Sequence, residues 1–152
     1  MARIVVFAGL PGVGKSSIAR ELSRRTGLFH LRVDAIEGPF LEKEMSVTSE
    51  GYEAMRRVAA ENLEIGIGSI VDCVNPWPLT REMFEFDGQT LKVEVTCSDA
   101  ELHKARLDAR GCGPKFEDLA EREYQSWTDA EIHIDTAKTS VEDAVADILK
   151  HL

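Results

Sequence analysis

No run of apolar residues in this sequence approaches the roughly 18 that a membrane-crossing helix needs. The stretch Ile4 to Leu10 is short and runs into a glycine-rich loop, where a signal peptide would carry a longer core toward a cleavage site. A soluble, unexported protein without a membrane partner is expected. Cysteine is scarce as well: Cys73, Cys97 and Cys112 are odd in number and far apart, without the close pairing of a zinc site or a CxxC redox motif. A reducing cytoplasm is the expected setting. Basic residues are in deficit, 18 Lys and Arg against 27 Asp and Glu, for a formal net charge of -9. A surface of that sign repels phosphate backbones and anionic lipid, which disfavours nucleic acid as a partner. Internal repeats, low-complexity tracts and a Gly/Pro linker are also missing. With 152 residues, 43% of them hydrophobic, residues 1–152 are expected to form a single domain around a full core. Nothing in the pattern specifies an oligomeric state.

What is present is a set of short apolar runs rich in β-branched residues, at Arg3 to Ala8, Leu28 to Val33, Ser69 to Val74, Leu91 to Thr96 and Ile132 to Asp135. They are continuous more than alternating, as in strands covered by helices on both faces. Between them lie helical stripes. Tyr52, Met55, Ala59 and Leu63 share one face, with Glu53, Arg56, Arg57 and Glu64 largely away from it; Val141, Ala144, Val145, Ile148 and Leu149 form another stripe. Ser98 and Glu101 have capping-box spacing at the start of a helix that runs through Arg110. Alternating strands and helices predict a three-layer α/β domain with a mostly parallel sheet of five strands, and ligands beyond the carboxyl ends of the strands.

Between the first strand and a helix carrying Ile18, Ala19 and Leu22 stands Gly9-Leu10-Pro11-Gly12-Val13-Gly14-Lys15-Ser16, a complete GxxxxGK[ST]. By average residue usage its four specified positions coincide in a chain this long less than roughly 1% of the time. The glycines let the loop, Gly12, Val13 and Gly14 included, turn its backbone N–H groups inward around phosphates at positive φ. Lys15 brings a cation to the β and γ oxygens, and Ser17 is placed to touch the α-phosphate. The Ser16 hydroxyl is a hard oxygen ligand for Mg²⁺, and the following helix adds its N-terminal dipole. ATP with Mg²⁺ is the expected ligand.

Among P-loop proteins, a GTPase would carry NKxD and a DxxG after a strand; the only DxxG, Asp108 to Gly111, ends a predicted helix. Motors and AAA-type ATPases are disfavoured by the chain's length. The order GLPGVGKSSIAREL, a strand ending in Val33-Asp34, then Ile70-Val71-Asp72, then an Arg-bearing helix, resembles the adenylate-kinase-like small-molecule kinases. The pattern is similar across shikimate and gluconate kinases, chloramphenicol phosphotransferase and zeta-toxin-like kinases. The resemblance implies a parallel sheet ordered 2-3-1-4-5, a short lid over about 111–127, and transfer of the γ-phosphate to a small-molecule acceptor with release of ADP.

Carried over position by position, the resemblance implies that Asp34 faces the acceptor hydroxyl as general base or orienter. The Asp34-Ala35-Ile36-Glu37 spacing reads equally as a helix cap. Asp72 would hold Mg²⁺ with Ser16, directly or through water. Arg106 and Arg110, four apart on one helix face, would enter the lid, one flanking adenine and one reaching the phosphates. Arg122 is a more distant candidate. Asn75 and Arg81 would belong to an acceptor loop, and Trp77 reads as loop packing. Backbone groups of Thr136 and Ala137 would contact the base. His30, His103, His133 and His151 carry no ligand spacing and stay unassigned. Two other functions remain open, a nucleotide-dependent regulatory module with slow ATPase activity and a kinase of an RNA or tRNA hydroxyl.

Overall fold

The computed structural model describes residues 3–152. Five strands, β1 (Ile4–Ala8), β2 (Phe29–Arg32), β3 (Ser69–Asp72), β4 (Thr90–Thr96) and β5 (Ile132–Asp135), form one sheet in the order β2-β3-β1-β4-β5. Every neighbouring pair is parallel. Helices α1 (Lys15–Thr26), α2 (Val33–Leu41), α3 (Glu50–Glu64), α4 (Pro78–Glu82), α5 (Ala100–Arg110) and α6 (Val141–Leu149) connect and cover the strands, and a 3₁₀ turn occupies Phe116–Glu121.

Strand β1 lies at the centre with all five residues fully buried. Its side chains alternate between two cores, as the pleat requires. Val5 and Phe7 join Ile18, Ala19 and Leu22 of α1 and Ala144, Val145 and Ile148 of α6. Ile4, Val6 and Ala8 join Met55 and Ala59 of α3, together with Phe84 and Trp127. Burying a Val, Ile or Phe side chain stabilises by about 1.5–3 kcal/mol, so a central strand packed on both faces is a rigid root for the loop that leaves it.

The expected strands are all present, with changed ends. β2 stops at Arg32 because α2 begins at Val33, and β3 stops at Asp72. Helix α2 has Arg32 at its N-cap, with no side-chain cap bond, so Asp34 stands inside the first turn and the capping alternative for it is not realised. The Ser98 capping box also gives way. Asp99 caps α5, its Oδ1 accepting from the Leu102 N–H at 3.0 Å. A carboxylate is the stronger acceptor there, and the Ser98 N–H is drawn to Asp135 Oδ1 at 3.0 Å. The stripe on α3 holds, with Met55 and Ala59 buried and Tyr52 and Leu63 packed beside them. On α6 it holds except at Leu149, which is exposed.

Candidate active site

The loop from Gly9 to Gly14 leaves the buried end of β1 and turns into α1. Gly9 (φ 152°), Gly12 (φ 81°) and Gly14 (φ 105°) all adopt positive φ. Space also enforces glycine at position 9, where a Cβ would overlap the Val95 backbone carbonyl. Gly14 is the N-cap of α1 and supplies no side-chain hydrogen bond, which leaves the first-turn N–H groups facing the cleft without a protein cap.

Lys15 opens that helix. It is buried, and its Nζ donates to the Gly9 carbonyl at 2.6 Å and the Leu10 carbonyl at 3.0 Å. Among the described residues no carboxylate pairs with it within 4.0 Å. Burial lowers its pKa to about 8, partly opposed by the nearby charge of Asp72. Asp72 ends β3 beside it, its side chain only 3% exposed, with Oδ2 2.9 Å from His30 Nε2. Burial alone would push its carboxyl up; the hydrogen bond from His30, the charge of Lys15 and the nearby Ser16 hydroxyl outweigh that and hold it below the usual range.

These groups line a cleft of about 780 Å³. Its walls carry Lys15, Arg32, Arg106, Arg110 and Arg122 against two carboxylates, Asp34 and Asp72. A locally cationic cleft thus stands in a chain whose formal net charge is -9. Gly12, Gly14, Ser16, Ser17 and Thr136 line the same cleft, while Val13 is buried outside the lining and its carbonyl accepts from Thr136 Oγ1 at 2.6 Å. Arg106 Nη1 donates to Thr136 Oγ1 at 2.7 Å and to the Val13 carbonyl at 3.3 Å. Arg110 Nη2 reaches across to Asp34 Oδ2 at 3.9 Å, and Arg32 Nη2 lies 3.1 Å from the same oxygen.

Other sequence candidates lie elsewhere. Arg81 is 5% exposed and faces away from the cleft, so it is no acceptor-loop contact. Its Nε donates to the Asn75 carbonyl at 2.9 Å, its Nη2 to the Gln125 carbonyl, and its guanidinium lies over the rings of Tyr124 and Trp127 at 5.4 and 5.2 Å. Asn75 is fully buried beside it, and Trp77 sits outside the cleft lining. The backbone N–H groups of Thr136 and Ala137 are not free for a base. Thr136 N–H donates to the Thr96 carbonyl and Ala137 N–H to Asp135 Oδ1, because both amides close the turn after β5. The Thr136 hydroxyl is engaged with Arg106 and the Val13 carbonyl.

Three contacts escape a reading of the residues alone. His30 meets Asp72, Arg32 meets Asp34, and the buried His103 places Nε2 2.7 Å from the Pro11 carbonyl, tying α5 to the phosphate loop. The one available signal was the two-residue spacing of His30 and Arg32, which sets both on one face of β2.

Comparison with known proteins gives the same fold. A family model described as an AAA domain matches residues 5–128, so the chain's length does not exclude that family. The sequence is 30% identical over 165 residues to a shikimate kinase from Geobacter metallireducens, covering 99% of this chain and 92% of that one. Similar solved structures include an APS kinase from Mycobacterium tuberculosis (TM-score 0.75, 17% identity, covering 98% of this chain and 96% of that chain). A sugar kinase from Janibacter sp. (TM-score 0.72, 19% identity, covering 99% and 94%) shares the fold too. So does a gluconokinase from Sinorhizobium meliloti (TM-score 0.68, 18% identity, covering 99% and 93%). With its glycine-enforced phosphate loop at the end of a central parallel strand, the chain matches the AAA-domain family model and belongs to the P-loop small-molecule kinases.

Proposed function

We propose that this kinase uses ATP, bound with Mg²⁺, and transfers the γ-phosphoryl group to a hydroxyl or phosphate of a small acceptor, releasing ADP. The observation that carries this is Lys15, a buried cation held only by backbone carbonyls at the mouth of an uncapped helix. Such a group is poised for a multiply charged anion. Mg²⁺ fits the neighbouring donors. Ser16 and Asp72 offer hard oxygens, and among the described residues no group of three or more His, Cys, Asp or Glu forms a metal cage. That suits an ion that arrives on the nucleotide and keeps several waters. When bound, Mg²⁺ neutralises charge on the phosphate oxygens.

In this reading Gly12, Val13, Gly14, Lys15, Ser16 and Ser17 hold the phosphates. Arg106, fastened to Val13 and Thr136, borders the nucleotide, and Arg110, free to leave Asp34, meets the transferring group. The acceptor oxygen bonds to the γ-phosphorus while the bond to the bridging oxygen of ADP breaks, and a hydroxyl proton passes to the Asp34 carboxylate. Residues 111–123 close as a lid. Its stem, 124–127, is pinned by the Gln125 N–H bond to the Pro76 carbonyl at 2.7 Å and by Arg81. Three free cysteines support work in a reducing cytoplasm.

ADP formation with Mg-ATP, measured across sugars, sugar acids, nucleosides and nucleotides, finds the acceptor; Asp34→Asn then tests the base. Because Asp34 does not cap α2, the variant should melt close to the parent while kcat falls about 10²-fold or more and ATP affinity is kept. Transfer at the parental rate would remove Asp34 from the chemistry.

A further inference from the structure

Asp72 and Lys15 present a physical problem. They are opposite charges, both buried and close enough for each to perturb the other, yet they do not pair: Lys15 Nζ stays on the Gly9 and Leu10 carbonyls. In so dry a setting an unrestrained carboxylate would swing toward the ammonium. Direct pairing would occupy both groups that the phosphate and its metal need. Something must hold the carboxylate back.

His30 does this from the neighbouring strand. β2 pairs with β3 in the register Phe29↔Ser69 through Arg32↔Asp72, which sets His30 one diagonal step from Asp72 on the same face of the sheet. Its Nε2 lies 2.9 Å from Asp72 Oδ2. An ionised carboxylate only accepts, so Nε2 is the donor, and the neutral imidazole suffices for the bond. We propose that His30 is a positioning residue for phosphoryl transfer: by holding one oxygen of Asp72, it keeps the carboxylate off Lys15 and turned toward the Mg²⁺ of the bound nucleotide. The proposal rests on the reading of Ser16 and Asp72 as the Mg²⁺ site. Its logic is that of outer-shell partners that fix a ligating carboxylate, whose loss weakens metal affinity by about 10- to 100-fold.

The test titrates Mg²⁺ into the full chain with a fluorescent ATP analogue and reads nucleotide binding without catalysis. His30→Phe keeps a ring but loses the donor; the Mg²⁺ concentration for half-maximal binding should rise about 10-fold or more. His30→Gln restores an N–H donor and should return within about threefold of the parent. A merely structural His30 would lower the melting temperature of both variants and leave the Mg²⁺ midpoint alone. Should His30→Phe fail to fold, His30→Ala on this edge strand reads the same midpoint. Asp72→Asn separates the two levels. If it shifts the midpoint and the donorless His30 variants do not, His30 has no positioning role. If Asp72→Asn itself leaves the midpoint unchanged, the Mg²⁺ assignment fails first.

Discussion

Arg106 and Thr136 close one side of the phosphate loop together. The guanidinium donates to Thr136 Oγ1 at 2.7 Å, and that hydroxyl donates onward to the Val13 carbonyl at 2.6 Å. Arg106 Nη2 also reaches the Thr136 carbonyl at 3.3 Å, so a residue from α5 and one from the turn after β5 act as one clamp.

Removing the hydroxyl should therefore weaken nucleotide binding more than it slows transfer. Thr136→Ala loses the hydroxyl's bonds to Arg106 and to the Val13 carbonyl, leaving only the direct Arg106 to Val13 contact at 3.3 Å; a loss of about 1–2 kcal/mol raises the Kd for ATP about 5- to 30-fold. Thr136→Ser should stay near the parent. Arg110→Ala, which touches no part of the clamp, should instead lower kcat with ATP affinity kept. Equal Kd values for Thr136→Ala and parent, measured by equilibrium titration, would discount the clamp.

Lys15 makes stability depend on pH in a direction opposite to that of a lysine in an ordinary ion pair. In the fold its pKa is lowered from 10.5 to about 8, mainly by burial. Between these values the unfolded chain binds more protons than the folded one, so this group's contribution to stability rises with pH. It is complete above the unfolded value and is lost as pH falls through the folded one. Lys15→Met removes the buried charge; it should abolish transfer yet melt above the parent at pH 7, with the gap narrowing toward pH 10. A gap that does not change across that range, followed by thermal melting, would contradict the buried-cation reading.

Arg81→Ala should act on stability. The guanidinium loses its bonds to the Asn75 and Gln125 carbonyls and its place over Tyr124 and Trp127, together about 3 kcal/mol. In a chain of this size that lowers the melting temperature by about 6–12 °C. The segment 124–127 loosens with it, so limited proteolysis should cut first near residues 122–127. An unchanged melting temperature would show that the stacked arginine is not structural.

Local requirements made the phosphate loop legible in the sequence. Positive φ at Gly9, Gly12 and Gly14, a lysine and a hydroxyl at fixed offsets, and flanking strand and helix patterns are all written within some twenty consecutive positions. Five strands followed from short β-branched runs, and their order came with the family resemblance. Asp72, Arg106 and Arg110 were singled out by the family resemblance, Asp72 at the end of β3 and the arginines in the second half of α5.

Tertiary structure alone decided which side chains meet. His30 and Asp72 are 42 positions apart, Arg81 and Gln125 are 44 apart, and Thr136 and Val13 are 123 apart. Each contact depends on strand register or loop docking, and a one-residue slip of a strand would turn every side chain on it to the other face. Asn75 and Arg81 show the same limit from the other side: polarity in a loop after β3 suggests a ligand contact, but the fold turns both residues inward, against Tyr52, Tyr124 and Trp127. Residue chemistry, written locally, thus determined that this chain would hold a phosphate. The pairing of β2 with β3 and the docking of residues 124–127 decided which carboxylate is restrained, which arginine is free to reach the cleft, and which is locked into the frame, because those partners are brought together only by packing.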